Sequence, residues 1–149
     1  MIKQQLQDDV KTAMLAGDAL RVETLRGLKS VILYAEVAAR KRDTGLDDEE
    51  IQMLFAKEVK KRQESADLYV QGGSPERAQK ELTEKTIIEE YLPVQLSEAE
   101  VSAIIDEVIA AQNASGQQSV GPVIGAVKQR VGSSANGGMI AKLVKEKLQ

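Results

Sequence analysis

The sequence predicts an all-α protein: an N-terminal four-helix domain over residues 1–93 with a long antiparallel hairpin, then a small three-helix domain over residues 97–149. Three observations carry this. Apolar residues recur at three- and four-residue spacing through almost the whole chain, with hardly any strand-like alternation. Cap residues, Gly pairs and prolines interrupt that pattern at ordinary helix lengths. Pro93 and the short Val94-Gln95-Leu96 stretch form the clearest break in it.

Ile2, Leu6, Val10 and Met14 repeat every four residues and define the first helix, which Gly17 stops. Asp18 caps a second helix running to about Arg42, with Leu25, Leu28 and Ile32 on one face; Asp43-Thr44-Gly45 breaks it. Asp47 with Glu50 forms a capping-box pair at the start of a long third helix whose stripe reads Ile51, Leu54, Phe55, Val59, Arg62, Ala66, Tyr69. Gly72-Gly73 ends it. Ser74 as cap and Pro75 as first residue open the fourth, which carries Ala78, Leu82, Lys85, Ile88 and Leu92.

Ser97-Glu98-Ala99-Glu100 is a second capping box, followed by the apolar face Val101, Ile104, Ile105, Val108 and Ile109. Asn113 to Gly116 is a linker. Val120, Val123, Ile124, Val127 and Val131 have helical spacing although Gly121, Pro122 and Gly125 intrude and β-branched residues favour strands. After the small-residue loop Gly132 to Gly138, Asn136 caps a last helix bearing Ile140, Leu143, Val144 and Leu148.

If the third and fourth helices are antiparallel about Gly73, facing residues carry numbers that sum to about 146. Tyr91 then lies opposite Phe55, and Arg62, the one full charge on the apolar stripe, opposite Glu84. A guanidinium set among apolar neighbours needs a carboxylate. An Arg62–Glu84 ion pair, shared with Glu81, is therefore expected to hold the hairpin in register.

With 149 residues and neither Cys nor His, thiolate chemistry, disulfides, imidazole bases and the usual nitrogen metal ligands are all excluded. Four aromatics (Tyr34, Phe55, Tyr69, Tyr91) are too few for a base-stacking surface. The acidic run Asp47 to Glu50 sits where a helix start favours negative charge and lacks the alternating order of a calcium loop. Gly72-Gly73 and Gly137-Gly138 lack the lysine and hydroxyl of a phosphate-binding loop. No serine has a base at fixed spacing, so no catalytic residue, metal or cofactor is expected. No segment approaches the roughly 18 apolar residues of a membrane span, and the opening residues lack the order of a secretory signal. A cytoplasmic protein is the expectation.

Charge is unevenly distributed. The chain has 20 Lys plus Arg against 23 Asp plus Glu, yet residues 119–149 hold Lys128, Arg130, Lys142, Lys145 and Lys147 against Glu146 alone. A basic terminal segment on an acidic body suits an anionic partner, with RNA the natural candidate.

The stretches Thr24 to Ser30, Glu58 to Ser65, Glu81-x-x-Glu84 leading to Tyr91-Leu92-Pro93, Gly121 to Gly125, and Leu143 to Leu148 together resemble the YqeY-like family. That family is related to the tail of one component of the tRNA-dependent amidotransferase. The resemblance implies two helical domains, a tail that helps hold tRNA, and a family-level association with glutamine-dependent carbon–nitrogen ligase activity whose chemistry resides in separate subunits. Where the similar tail carries three basic positions, this chain has Pro122, Ser134 and Gly138, and Asn136 stands for an aspartate. The expectation is a non-catalytic tRNA-binding or translation-linked accessory protein, its RNA contacts carried by Lys128, Arg130, Lys142 and Lys145, with a protein partner in aminoacyl-tRNA metabolism. The alternative is a protein-interaction module that binds no RNA.

Overall fold

Seven α-helices and no strand make up the computed structural model, which describes residues 1–149: α1 Ile2–Leu15, α2 Ala19–Ala38, α3 Asp48–Gln71, α4 Pro75–Glu89, α5 Glu98–Gln112, α6 Val120–Val131 and α7 Gly137–Lys147. Single 3-10 turns, Gln117–Ser119 and Gly132–Ser134, precede and follow α6. The chain divides into two compact units, Met1–Leu92 and Pro93–Gln149.

In the first unit the apolar stripes of α1 to α4 meet in one core that includes Leu6, Leu25, Leu28, Ile51, Phe55 and Ile88. The long hairpin α3–α4 turns at Gly73, whose φ of +78° is one a side chain would strain. Its register is the one expected from the sequence: the rings of Phe55 and Tyr91 meet edge to face with centroids 5.9 Å apart. Lys85 Nζ donates to Gln63 Oε1 at 2.8 Å further along. Between Lys60 and Thr86, Ala66 and Ala78 are the only buried apolar side chains, so two small residues close that part of the hairpin.

Three local expectations fail for physical reasons. The second helix ends at Ala38, short of Arg42, because Arg40 takes a left-handed φ of +58° and Lys41 N reaches back to Glu36 O. Met14 is exposed and Ala13 takes its place in the core, the drift a four-residue repeat suffers on a 3.6-residue helix. Ser74 makes no side-chain cap bond, leaving Pro75 as the device that starts α4.

The second unit is a three-helix bundle around Val101, Ile105, Val123, Val127, Ile140 and Val144, all fully buried. The spacing of Val123, Val127 and Val131 prevails over their strand preference because burial of one face outweighs the few tenths of a kcal/mol of propensity at stake. Pro122 falls in the first turn of α6, where a missing N–H breaks no helical bond.

Candidate nucleic-acid interface

The core-facing positions of α6 and α7 fix where the basic side chains point. With Val123, Val127 and Val131 inward on α6, Lys128 and Arg130 fall on its outer side. With Ile140, Leu143 and Val144 inward on α7, Lys142 and Lys145, three residues apart, share an exposed face. All four are exposed, but they are not equally available.

Arg130 Nη2 donates to Glu107 Oε2 on α5 at 2.6 Å. Lys147 Nζ donates to Asp106 Oδ1, also on α5, at 2.8 Å. Lys128, Lys142 and Lys145 make no ion pair. Lys128 extends across the start of α7: a methyl group added at Gly137 would stand 3.4 Å from its Cε and 3.5 Å from its Nζ. Below it, Asn136 Oδ1 accepts from the backbone N–H groups of Gly138 and Met139 at 2.7 and 3.3 Å. Lys145 sits beside Gln117, Val120 and Gln149 around a shallow hollow of about 290 Å³.

The three positions where basic residues are missing lie nearby. Pro122 is exposed on α6, Ser134 is half-buried in the 3-10 turn, and Gly138 is exposed at the first turn of α7. The turn bearing Ser134 is braced by the segment that leads into α5. Leu96 N donates to Ser134 O at 2.8 Å, and Gln95 Nε2 to Ser133 O at 2.9 Å.

The second candidate cluster lies in the hairpin. Arg62 Nε is 3.6 Å from Glu84 Oε2, within ion-pair distance but too long for a hydrogen bond, so this buried nitrogen has no hydrogen-bond partner. The nearer carboxylate is Glu58, one turn earlier on α3, which accepts from Arg62 Nη1 and from Lys61 Nζ. Glu81 forms no ion pair with Arg62; its charge acts on Glu84. Burial and then Glu81 push the Glu84 carboxyl above its ordinary value despite the attraction of Arg62. Sequence reasoning misses Glu58, although its four-residue spacing to Arg62 is a signal the sequence carries.

Two more buried carboxylate-linked contacts are invisible to it. Glu36 is buried and accepts from Lys3 Nζ at 2.8 and 3.2 Å. The Tyr91 hydroxyl donates to Asp9; burial and that bond hold the phenol well above its ordinary range. Each of these pairs joins residues more than thirty positions apart, which helix periodicity does not reveal.

Nearly the entire chain, residues 3–148, matches a family described as Yqey-like protein. Among curated proteins, altered inheritance of mitochondria protein 41, mitochondrial, of Lachancea thermotolerans is 35% identical over 107 residues, 70% of this chain and 56% of that protein. The protein of the same name from Kluyveromyces lactis matches to the same extent, 35% over 107 residues, 70% of this chain and 56% of its own. That from Eremothecium gossypii is 34% identical over 87 residues, 58% of this chain and 46% of its own. The chain thus spans about half the length of the curated relatives it matches. These relatives are named as mitochondrial, which overturns the expectation of a cytoplasmic protein. The expectation failed because a charged, helical composition suits any aqueous compartment equally.

Proposed function

We propose that this chain, which belongs to the YqeY-like family, is a tRNA-binding accessory protein without catalysis of its own. Its α6–α7 helices grip phosphates through Lys128, Lys142 and Lys145. The observation that supports this most is that these three exposed ammonium groups have no acid partner, while Arg130 and Lys147 on the same helices are neutralised by α5. Lysines of this kind position a polyanion without reading its sequence. Any amide chemistry associated with the family would belong to partner subunits in aminoacyl-tRNA metabolism.

The test is an anisotropy titration with fluorescein-labelled tRNA. Three phosphate contacts predict that log affinity falls against log salt with a slope of about −2 to −3. The Lys142→Glu/Lys145→Glu double variant should bind at least about tenfold more weakly, each lost contact contributing on the order of a kcal/mol at low salt. Absence of binding in low salt, or a double variant that binds like the parent, rejects the proposal.

A further inference from the structure

Outside the C-terminal helices, the outer face of α2 combines free cations with exposed apolar side chains. Arg26, Lys29, Ser30, Leu33 and Val37 follow helical spacing along it, with Tyr34 beside them. Leu33, Tyr34 and Val37 are 47, 73 and 53% exposed. Arg26 and Lys29 form no ion pair, nor do Arg40 and Arg42 just beyond the helix end. Of the two acids within the helix, Glu36 is buried and held by Lys3, and Glu23 lies one turn before Arg26 without forming an ion pair with it. Between α1 and α2 this face opens into a groove of about 380 Å³ lined by Leu33, Lys29, Ser30 and the Lys3–Glu36 pair, with the buried Leu6 and Ile32 behind them.

From Arg26 on α2 to Arg40 just past its end the order is cation, apolar, cation, over about 20 Å at 1.5 Å per residue. We infer that this outer face of α2, with the groove beside it, is a docking site for an amphipathic helix of a partner protein, its apolar side seated on the exposed Leu33, Tyr34 and Val37 and its acidic flanks meeting Arg26 and Lys29 at one end and Arg40 and Arg42 at the other. Charge complementarity selects this occupant. A second copy presenting the same face antiparallel, centred on Leu33, would set Arg26 against Arg40, like charge against like. A bilayer is flat, whereas this face is indented by a groove, and only Leu33, Tyr34 and Val37 protrude from it to insert. A helix fills a groove of this kind with anchors spaced by one turn. The inference is independent of the tRNA reading, since it uses no residue of α6 or α7.

The test titrates the full-length protein, isotopically labelled for NMR, with a helix-stapled peptide of about 16 residues, a length that spans the pattern. The peptide carries leucines along one face and two glutamates at each end; a control peptide carries lysines in place of the glutamates. The acidic peptide is expected to bind at ~10–100 μM, as small transient interfaces do, with amide shifts confined to α1, α2 and the following turn. Arg26→Glu/Lys29→Glu should weaken it more than about tenfold, and Leu33→Glu, at an exposed position, should abolish it while leaving the amide spectrum folded. Lys142→Glu/Lys145→Glu should leave it unchanged. The inference is overturned by no binding at millimolar peptide, by equal binding of the lysine control, or by shifts elsewhere. It is equally overturned if Leu33→Glu instead abolishes a dimer in sedimentation or flotation with phosphatidylserine vesicles, or if Arg26→Glu/Lys29→Glu weakens tRNA binding as strongly as the α7 variant does.

Discussion

Arg62 faces two carboxylates that do different work. Glu58 meets its guanidinium directly, while Glu84 stands 3.6 Å away under the added repulsion of Glu81. Removing one partner of a fully buried pair costs about 3–5 kcal/mol; here Arg62 keeps partial exposure and a second carboxylate, which lowers the expected loss for Glu58→Ala to about 2–3 kcal/mol. Glu84→Gln should be nearly neutral at pH 7, because the charge it removes is itself disfavoured by burial. The pH dependence has a definite sign. The folded-state pKa of Glu84 lies above its unfolded value, so the wild type's stability relative to Glu84→Gln is largest below the unfolded pKa and shrinks as pH rises through the folded one. Urea denaturation of the two proteins from pH 4 to 7 measures this; a difference that stays flat or grows with pH contradicts the assignment.

Helix ends in this chain are held in two distinguishable ways, and single substitutions separate them. Asp47 accepts from Glu50 N at 2.8 Å while the Glu50 side chain returns to Asp47 N at 3.0 Å, a closed reciprocal cap. Ser74 caps nothing and α4 starts on Pro75. Asp47→Ala should therefore cost about 1 kcal/mol and Ser74→Ala less than about 0.5, both read from urea midpoints of the same unit. The contrast also marks what periodicity and cap patterns convey. They locate all seven helices and pair Phe55 with Tyr91, because an amphipathic stripe and a tight turn determine a helix and its antiparallel neighbour locally. They do not reveal that Ser74's hydroxyl goes unused, that Arg40 adopts a left-handed φ, or that Glu58 competes with Glu84 for Arg62. Those outcomes depend on side-chain reach and on which of two adequate options lies nearer in three dimensions.

Charge read along the chain and charge read on the folded surface differ in the second unit. Residues 119–149 carry five cations against one acid, but the unit Pro93–Gln149 also contains Glu98, Glu100, Asp106 and Glu107, which makes five acids and five cations. Folding brings α5 against α6 and α7 so that Glu107 and Asp106 occupy Arg130 and Lys147. Of the four candidate RNA contacts, Arg130 is thus the one held by an acid, and nothing in the sequence spacing of residues 107 and 130 announces it. This has a measurable consequence. Glu107→Gln frees the Arg130 guanidinium without changing the helix, since Gln and Glu have similar helix propensity and Glu107 is exposed. If tRNA lies along α6–α7, the variant should bind about two- to fivefold more tightly at low salt, its salt slope steepening by about 0.7–0.9, the increment for one added phosphate contact. Adding Arg130→Gln on top should return both quantities to their wild-type values, because the released cation is then gone. A Glu107→Gln variant with unaltered affinity and slope would place the polyanion off the α5-facing side of α6, leaving Lys142 and Lys145 as the residues to probe first.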